Sequence, residues 1–127
     1  MAMKRNSRKS RKISPAVLGK PKGLIQARVQ KVGPERFGVV AVDCAKARSK
    51  WMLCDFYGKV LIPPTVVDHQ RAALELATVQ LRETLERHGL QDHIVAVEMT
   101  GTYHRPAQRA FRKAGSETRL GRSAATV

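Results

Sequence analysis

Residues 37–46, FGVVAVDCAK, form a short apolar run that ends on a carboxylate, Asp43. Residues 93–104, HIVAVEMTGTYH, repeat this arrangement and place Glu98 at the end of a second apolar run. A continuous apolar segment of this length is typical of a strand that is covered on both faces of its sheet. The two runs therefore predict two buried strands, each with an acidic residue at its carboxyl end.

The segments around these strands predict an α/β domain with a mixed sheet. Apolar periodicity and turn residues predict, in chain order, strands over 37–43, 49–56 and 59–63, a helix over 67–88, a strand over 93–98, a helix over 105–114 and a weak last strand over 117–120. Pro63-Pro64 is expected to stop the third strand, and Asp68 is the expected N-cap of the first helix. The three strands joined by short turns predict an antiparallel meander. A right-handed helical crossover then places the fourth strand parallel to the first.

This topology brings Asp43 and Glu98 to one edge of the sheet. Ligands of open α/β sheets bind at the carboxyl ends of the strands. Two carboxylates that converge there repel each other, and a divalent cation relieves the repulsion. Mg²⁺ or Mn²⁺ suits such oxygen ligands. Taken singly, each acid is also a common turn or capping residue, so the prediction of a metal site depends on the pair.

Positive charge is concentrated at the start of the chain. The 127 residues carry a formal net charge of +14, and residues 1–36 hold 11 Lys and Arg but one acid. We therefore expect a basic flexible arm over 1–36, with at most a short helix over 24–31, then a folded domain over 37–120 and a disordered tail over 121–127. A basic arm contacts nucleic acid through counterion release or serves only as a solubilising tail. The cations expected to contact nucleic acid are Lys4, Arg5, Arg8, Lys9, Arg11 and Lys12.

Composition excludes several classes of protein. No window approaches 18 consecutive apolar residues, and the N-terminus has no apolar signal region, so we expect no membrane span and a cytoplasmic, nucleoid-associated location. Cys44 and Cys54 do not make a disulfide framework, and the scattered histidines have no zinc-site spacing. Both cysteines are expected to be free thiols.

The two acidic segments also carry a resemblance to a known family. Asp43-Cys44-Ala45-Lys46 and Glu98-Met99-Thr100-Gly101-Thr102-Tyr103 resemble motifs of the DEDD-type insertion-sequence transposases of bacteria and archaea. The resemblance covers about residues 37 to 115. It implies an RNase H-like (RuvC-like) fold, DNA binding, DNA transposition by site-specific recombination with Mg²⁺-dependent phosphodiester chemistry, and a structured guide RNA. Asp43 and Glu98 would correspond to the first Asp and the Glu of a four-carboxylate site, and the full-length family would form homo-oligomers.

The sequence departs from that family after the second acid. The family's other two acids lie well downstream, whereas Glu117 is the only acid that follows Glu98 and lies too close to it. The resemblance thus implies a truncated remnant, incomplete at its C-terminus, with half of the acidic site. Two-metal chemistry holds two cations about 4 Å apart, and two carboxylates are expected to hold one Mg²⁺ weakly. We therefore expect little activity from this chain alone.

Further residues near the second acid are candidates for nucleic-acid contact. Tyr103 and His104 open a helix whose N–H groups favour phosphate, and Arg105 and Arg109 give that helix a positive face. Lys46 follows Asp43 by three residues. Each also has an ordinary structural interpretation, as a capping, solvated or loop residue.

Two alternatives to a transposase remain open from the residues. One is a non-catalytic basic nucleic-acid-binding protein in which the acids are structural. The other is an actin-like phosphotransfer domain, which also has an Asp at the end of its first strand. That class usually follows the Asp with a glycine-rich phosphate loop, and residues 43–50, DCAKARSK, contain no glycine.

Overall fold

The computed structural model describes residues 17–18, 24–98 and 103–121, the first pair by its backbone only. Its elements, in chain order, are β1 (Val17–Leu18), α1 (Ile25–Val32), a 3₁₀ turn (Pro34–Arg36), β2 (Phe37–Cys44), β3 (Arg48–Asp55), β4 (Val60–Asp68), α2 (Arg71–Arg87), β5 (Asp92–Glu98), α3 (Arg105–Lys113) and β6 (Thr118–Gly121). The elements make a mixed α/β fold. The predicted strands and both predicted helices are all present, with shifted bounds.

One sheet with the strand order β1-β6-β5-β2-β3-β4 organises the fold. β2, β3 and β4 form the predicted antiparallel meander. β5 returns through α2 and pairs parallel with β2, as predicted, and β6 pairs parallel with β5. The parallel pair β2–β5 lies in the middle of the sheet, so its carboxyl ends form the centre of one sheet edge.

The main core lies between one face of the sheet and the two helices α2 and α3. Alternate residues of the central strands point into it, together with one stripe of each helix. Its largest fully buried members include Trp51, Leu53, Val40, Val95 and Phe111. The indole of Trp51 meets the ring of Phe111 edge-on at 5.8 Å between centroids. Trp51 is therefore a core residue, as the sequence indicates.

The other face of the sheet is covered only in part. Phe37, at the start of β2, is fully buried, and the guanidinium of Arg28 on α1 lies over its ring at 5.6 Å. Further along the same face, Ala41 and Asp43 are exposed. The expectation that β2 is covered on both faces is thus wrong for its last residues, because α1 is only eight residues long and ends over the start of the strand.

β4 extends past the two prolines that were expected to end it. The strand runs from Val60 to Asp68 and includes Pro63 and Pro64, with register shifts in its pairing to β3. β4 is the outermost strand, where a proline removes no N–H that a neighbouring strand needs. Because Asp68 is still in the strand, it does not cap the helix; α2 begins at Arg71 after Gln70, which makes no side-chain capping bond.

The last part of the predicted basic arm is folded onto the domain. The sequence allowed at most a short helix over 24–31, and α1 is present there. In the 3₁₀ turn after α1, the carbonyl of Pro34 accepts a hydrogen bond from the amide of Phe56 at 3.1 Å. Arg28 is buried and reaches acids on β5 and before β6. Val17–Leu18 of the predicted arm pairs with β6 as β1, and Gly121, the first residue of the predicted tail, belongs to β6. The arm residues with the six predicted nucleic-acid cations, and residues 122–127, lie outside the described residues. Their assignment stays a prediction.

No helix among the described residues is long and apolar enough to cross a membrane. Both cysteines in this part of the chain are free thiols, as expected.

Candidate functional site

Asp43 and Glu98 lie side by side at the carboxyl edge of the central parallel pair. The register pairs Ala41 with Ala96 and Val42 with Val97, and each acid is the next residue of its strand. Equivalent positions of neighbouring parallel strands point to the same face and are separated by about 4.8 Å along the hydrogen-bonding direction. The backbone register of β2 and β5 therefore places the two acids side by side, as predicted.

The two acids line one shallow cavity of about 240 Å³ on the open face of the sheet. Asp43 is exposed and Glu98 is half-buried. The residue that pairs with Glu98 on the next strand is Gly121, which has no side chain, and a Cβ added there would meet nothing within 4 Å. Gly121 therefore places no side chain in the space beside Glu98. On the other side, Lys50 is the β3 partner of Asp43.

The charges of both carboxylates influence the pKa of the Cys44 thiol. Burial raises its pKa above the ordinary value of 9.0, a hydrogen bond with Ser49 lowers it, and the negative charges of Asp43 and Glu98 raise it further. Both negative charges thus act on the same thiol at the end of β2.

This edge of the sheet offers a small set of metal ligands. Among the described residues, no group of three or more His, Cys, Asp or Glu side chains is arranged to hold a metal ion. Asp43 and Glu98 together supply carboxylate oxygens, the ligand type that Mg²⁺ takes in ones and twos while it keeps several waters. The donor set fits one cation and not the two that a two-metal centre requires.

The residues at the start of α3 line a different cavity from the two acids. His104, Arg105 and Arg109 border an open cleft of about 770 Å³ that shares no lining residue with the cavity of Asp43 and Glu98. Tyr103 is 41% exposed, and the connecting residues 99–102 lie outside the described part of the chain. Lys46 is exposed in the turn between β2 and β3. The described candidate residues therefore include the acidic pair and three residues of the basic cleft, whereas Tyr103 and Lys46 are not among the described residues that line either cavity.

One buried polar residue of the cleft, Gln108, was not identified from the sequence. Gln108 lies between the cations of α3 and is only 7% exposed. A glutamine in a short polar helix gives no signal of burial. The spacing of four residues from His104 to Gln108 places both on one helix face, and this is the signal available before the structure.

Comparisons with known proteins give a distant likeness. No family model and no curated protein matches the chain. Among solved structures, an exopolyphosphatase-like protein has a TM-score of 0.41 and 11% identity, over 66% of this chain and 32% of its own. The Ppx/GppA family member of Aquifex aeolicus has a TM-score of 0.41 and 9% identity, over 68% and 35%. A type II variant of the Aquifex aeolicus Ppx/GppA phosphatase has a TM-score of 0.39 and 11% identity, over 68% and 36%.

The chain spans about a third of the length of these structures. They are an exopolyphosphatase-like protein and two Ppx/GppA structures, not transposases, and they contradict the resemblance to insertion-sequence transposases. The prediction of a transposase that functions in DNA transposition and recombination is therefore wrong.

The physical reason for the correction is that the motifs behind the resemblance are short. An acid at the end of a buried strand, followed by a glycine turn and a helix start, serves any α/β sheet that binds ligands at its carboxyl edge. Such a motif does not distinguish one chemistry from another.

Proposed function

We propose that the edge formed by Asp43 and Glu98 binds one divalent cation, Mg²⁺ or Mn²⁺, and through it a phosphate-containing ligand. The proposal makes the chain a domain for metal-dependent phosphate chemistry. The observation that carries it is the placement of two carboxylates on adjacent parallel strand ends, on one face of the sheet, beside an open cavity.

Charge is the first reason for a cation. Two carboxylates about one strand spacing apart repel each other when both are ionised. The two acids are the charged residues among the described residues that line this cavity, and Lys50 lies beside Asp43 on β3. A divalent cation between the two acids removes the repulsion and uses oxygens that the fold already holds in register.

The second reason concerns what completes the coordination. Two carboxylates fill at most part of the six positions of Mg²⁺, and phosphate oxygens and water are its usual further ligands. The missing side chain at Gly121 leaves room beside Glu98 for such a ligand. A cation held in this way polarises a phosphoryl oxygen and orients the group.

The proposal also includes a specific fold class for the domain. We assign the domain to the RNase H-like class, because a three-strand meander is followed by parallel strands that place acids on a central edge. The predicted partners, namely DNA, a structured guide RNA and a second copy of the chain, stay predictions.

Titration with Mn²⁺, followed by electron paramagnetic resonance, tests the cation site. The wild-type chain is expected to bind one Mn²⁺, and Asp43→Asn and Glu98→Gln are each expected to weaken binding at least tenfold. Asp68→Asn is the matched control, since Asp68 also ends a strand, β4, but two strands away from β2. It should bind Mn²⁺ like the wild type.

Addition of pyrophosphate to the Mn²⁺ complex tests the phosphate part. Pyrophosphate should broaden the signal of protein-bound Mn²⁺ in the wild type without releasing the ion. Equal Mn²⁺ binding by Asp43→Asn, Glu98→Gln and Asp68→Asn would contradict the proposal, as would release of the ion by pyrophosphate at low concentration.

A further inference from the structure

The open cleft beside α3 is lined almost entirely by donors of hydrogen bonds and by positive charge. Its lining residues are His104, Arg105, Gln108, Arg109, Arg112, Lys113 and Leu120. Among the described residues, the lining contains no carboxylate. The cleft therefore differs in sign from the cavity of Asp43 and Glu98, with which it shares no residue.

Two polar side chains on the wall of this cleft are buried without a partner. His104 is 8% exposed and Gln108 is 7% exposed. Among the described residues, neither His104 Nδ1 nor Gln108 Nε2 has a hydrogen-bond partner. A buried donor that is left unsatisfied costs about 1–3 kcal/mol, so such groups in folded proteins usually meet a partner, a water or a ligand. Their spacing of four residues places both on the same side of α3.

Four cations surround these two donors. Arg105, Arg109, Arg112 and Lys113 are exposed. In the described part of the chain, none of the four lies within 4 Å of an acidic side chain. α3 itself, RPAQRAFRK, has no acidic residue. The guanidinium groups are thus free to bind an oxyanion in the bidentate manner that arginine favours.

We infer that this cleft is a binding site for a phosphate-type oxyanion. The arginines supply charge and paired N–H donors, and the amide of Gln108 supplies a neutral donor that packing holds in place. In its Nδ1–H tautomer, His104 supplies a second fixed donor. The oxyanion is either a small free phosphate compound or the phosphodiester backbone of a nucleic acid, and both present the same phosphate oxygens to the cleft. The inference is independent of the cation site.

Isothermal titration calorimetry in the presence of EDTA tests the site, because chelation removes any contribution to ligand binding from a metal at Asp43 and Glu98. Inorganic phosphate, a nucleoside monophosphate and a short single-stranded oligonucleotide are titrated separately. Arg109→Gln is expected to weaken binding of at least one of them tenfold. Arg82→Gln is the matched control, because Arg82 is an exposed arginine on α2 that does not line the cleft.

The buried donor separates a built site from a basic surface. Gln108→Glu keeps the size of the side chain and replaces a donor with a negative charge, so it should abolish binding. Gln80→Glu adds the same charge to the exposed face of α2 and should leave binding unchanged. Should Gln108→Glu fail to fold, as judged by circular dichroism, the pair Arg109→Gln and Arg82→Gln still decides the outcome.

Each outcome of these titrations has one meaning. Loss of phosphate or mononucleotide binding in the cleft variants supports the site with a small ligand. Loss confined to the oligonucleotide, with a steep dependence on salt, supports it with a phosphodiester backbone. If none of the three ligands binds, or if the cleft variants bind like Arg82→Gln and Gln80→Glu, the inference is overturned and the cleft is a solvated basic face.

Discussion

Arg28 is the residue whose environment the sequence least suggests. It lies in the basic N-terminal third of the chain, yet its side chain is only 8% exposed. Its Nη2 donates to Asp92 Oδ1 at 2.8 Å, its Nε donates to Asp92 Oδ2 at 2.8 Å, and its Nη1 donates to Glu117 Oε1 at 2.7 Å. Burial lowers the pKa of Arg28, but the hydrogen bond with Asp92 and the charges of Glu117 and Asp92 outweigh this effect and raise it. Arg28 therefore stays charged and ties α1 to the sheet.

Replacement of Arg28 by methionine should destabilise the domain strongly. The change leaves Glu117, whose side chain is 2% exposed, with Arg119 as its remaining cation at 3.0 Å. Removal of one partner from a buried ion pair costs about 3–5 kcal/mol when the remaining charge is uncompensated. Because Arg119 stays beside Glu117, we expect a loss near the lower end of this range. Urea unfolding followed by circular dichroism measures the loss.

The matched control is Arg48→Met. Arg48 pairs with Asp68 at 3.7 Å, and both side chains are more than half exposed. An exposed pair of this kind contributes about 0–1 kcal/mol. Equal free energies of unfolding for the Arg28 and Arg48 variants would show that the buried network does not hold α1 in place.

At the scale of the elements, β2 and α2 approach closely at Gly38. A Cβ at this position would lie 3.2 Å from Leu53 Cδ1, 3.3 Å from Leu85 Cδ2 and 3.3 Å from His93 Cβ. The glycine therefore allows α2 to pack against β2 and its two neighbours. The long helix and the strand were predicted from the sequence, but this contact was not, because a strand glycine has several possible causes.

Gly38→Ala should lower the free energy of unfolding by about 1–3 kcal/mol, the usual cost of overpacking a core. The added methyl group has to displace side chains from β3, β5 and α2 together. Thermal unfolding checks the effect. Gly121→Ala serves as the control: a Cβ at Gly121 meets no atom within 4 Å and should change the stability little. A Gly38→Ala variant as stable as Gly121→Ala would contradict the packing described for α2.

Across the whole molecule, charge is strongly unbalanced. The chain carries a formal net charge of +14 over 127 residues, while its described buried ion pairs involve few of these cations. Uncompensated positive charges repel one another in the compact state more than in the unfolded chain.

The melting temperature should therefore rise as sodium chloride is increased from low concentration to about 0.5 M, where the Debye length falls to a few Å. Differential scanning calorimetry in a non-phosphate buffer with EDTA measures this without occupying either proposed site. A melting temperature that falls with salt would contradict the prediction and would indicate that attractive pairs at the surface, such as Arg48–Asp68, outweigh the general repulsion.

The sequence by itself was enough to predict the strand order around Asp43 and Glu98. Apolar runs, turn glycines and the handedness of a helical crossover are local or general rules, and together they bring two strand ends to one edge. The same rules predicted the meander and the helix α3, and allowed at most a short helix where α1 lies.

Only the tertiary structure showed that Arg28 is buried, that β4 continues through Pro63 and Pro64, that the open face leaves Asp43 exposed, and that His104 and Gln108 share a basic cleft apart from the acidic pair. Each of these depends on which element lies across from a residue, and contacts between segments far apart in the chain leave little periodic signal in the sequence. For the same reason, short motifs at strand ends suggested a family that the comparisons contradict.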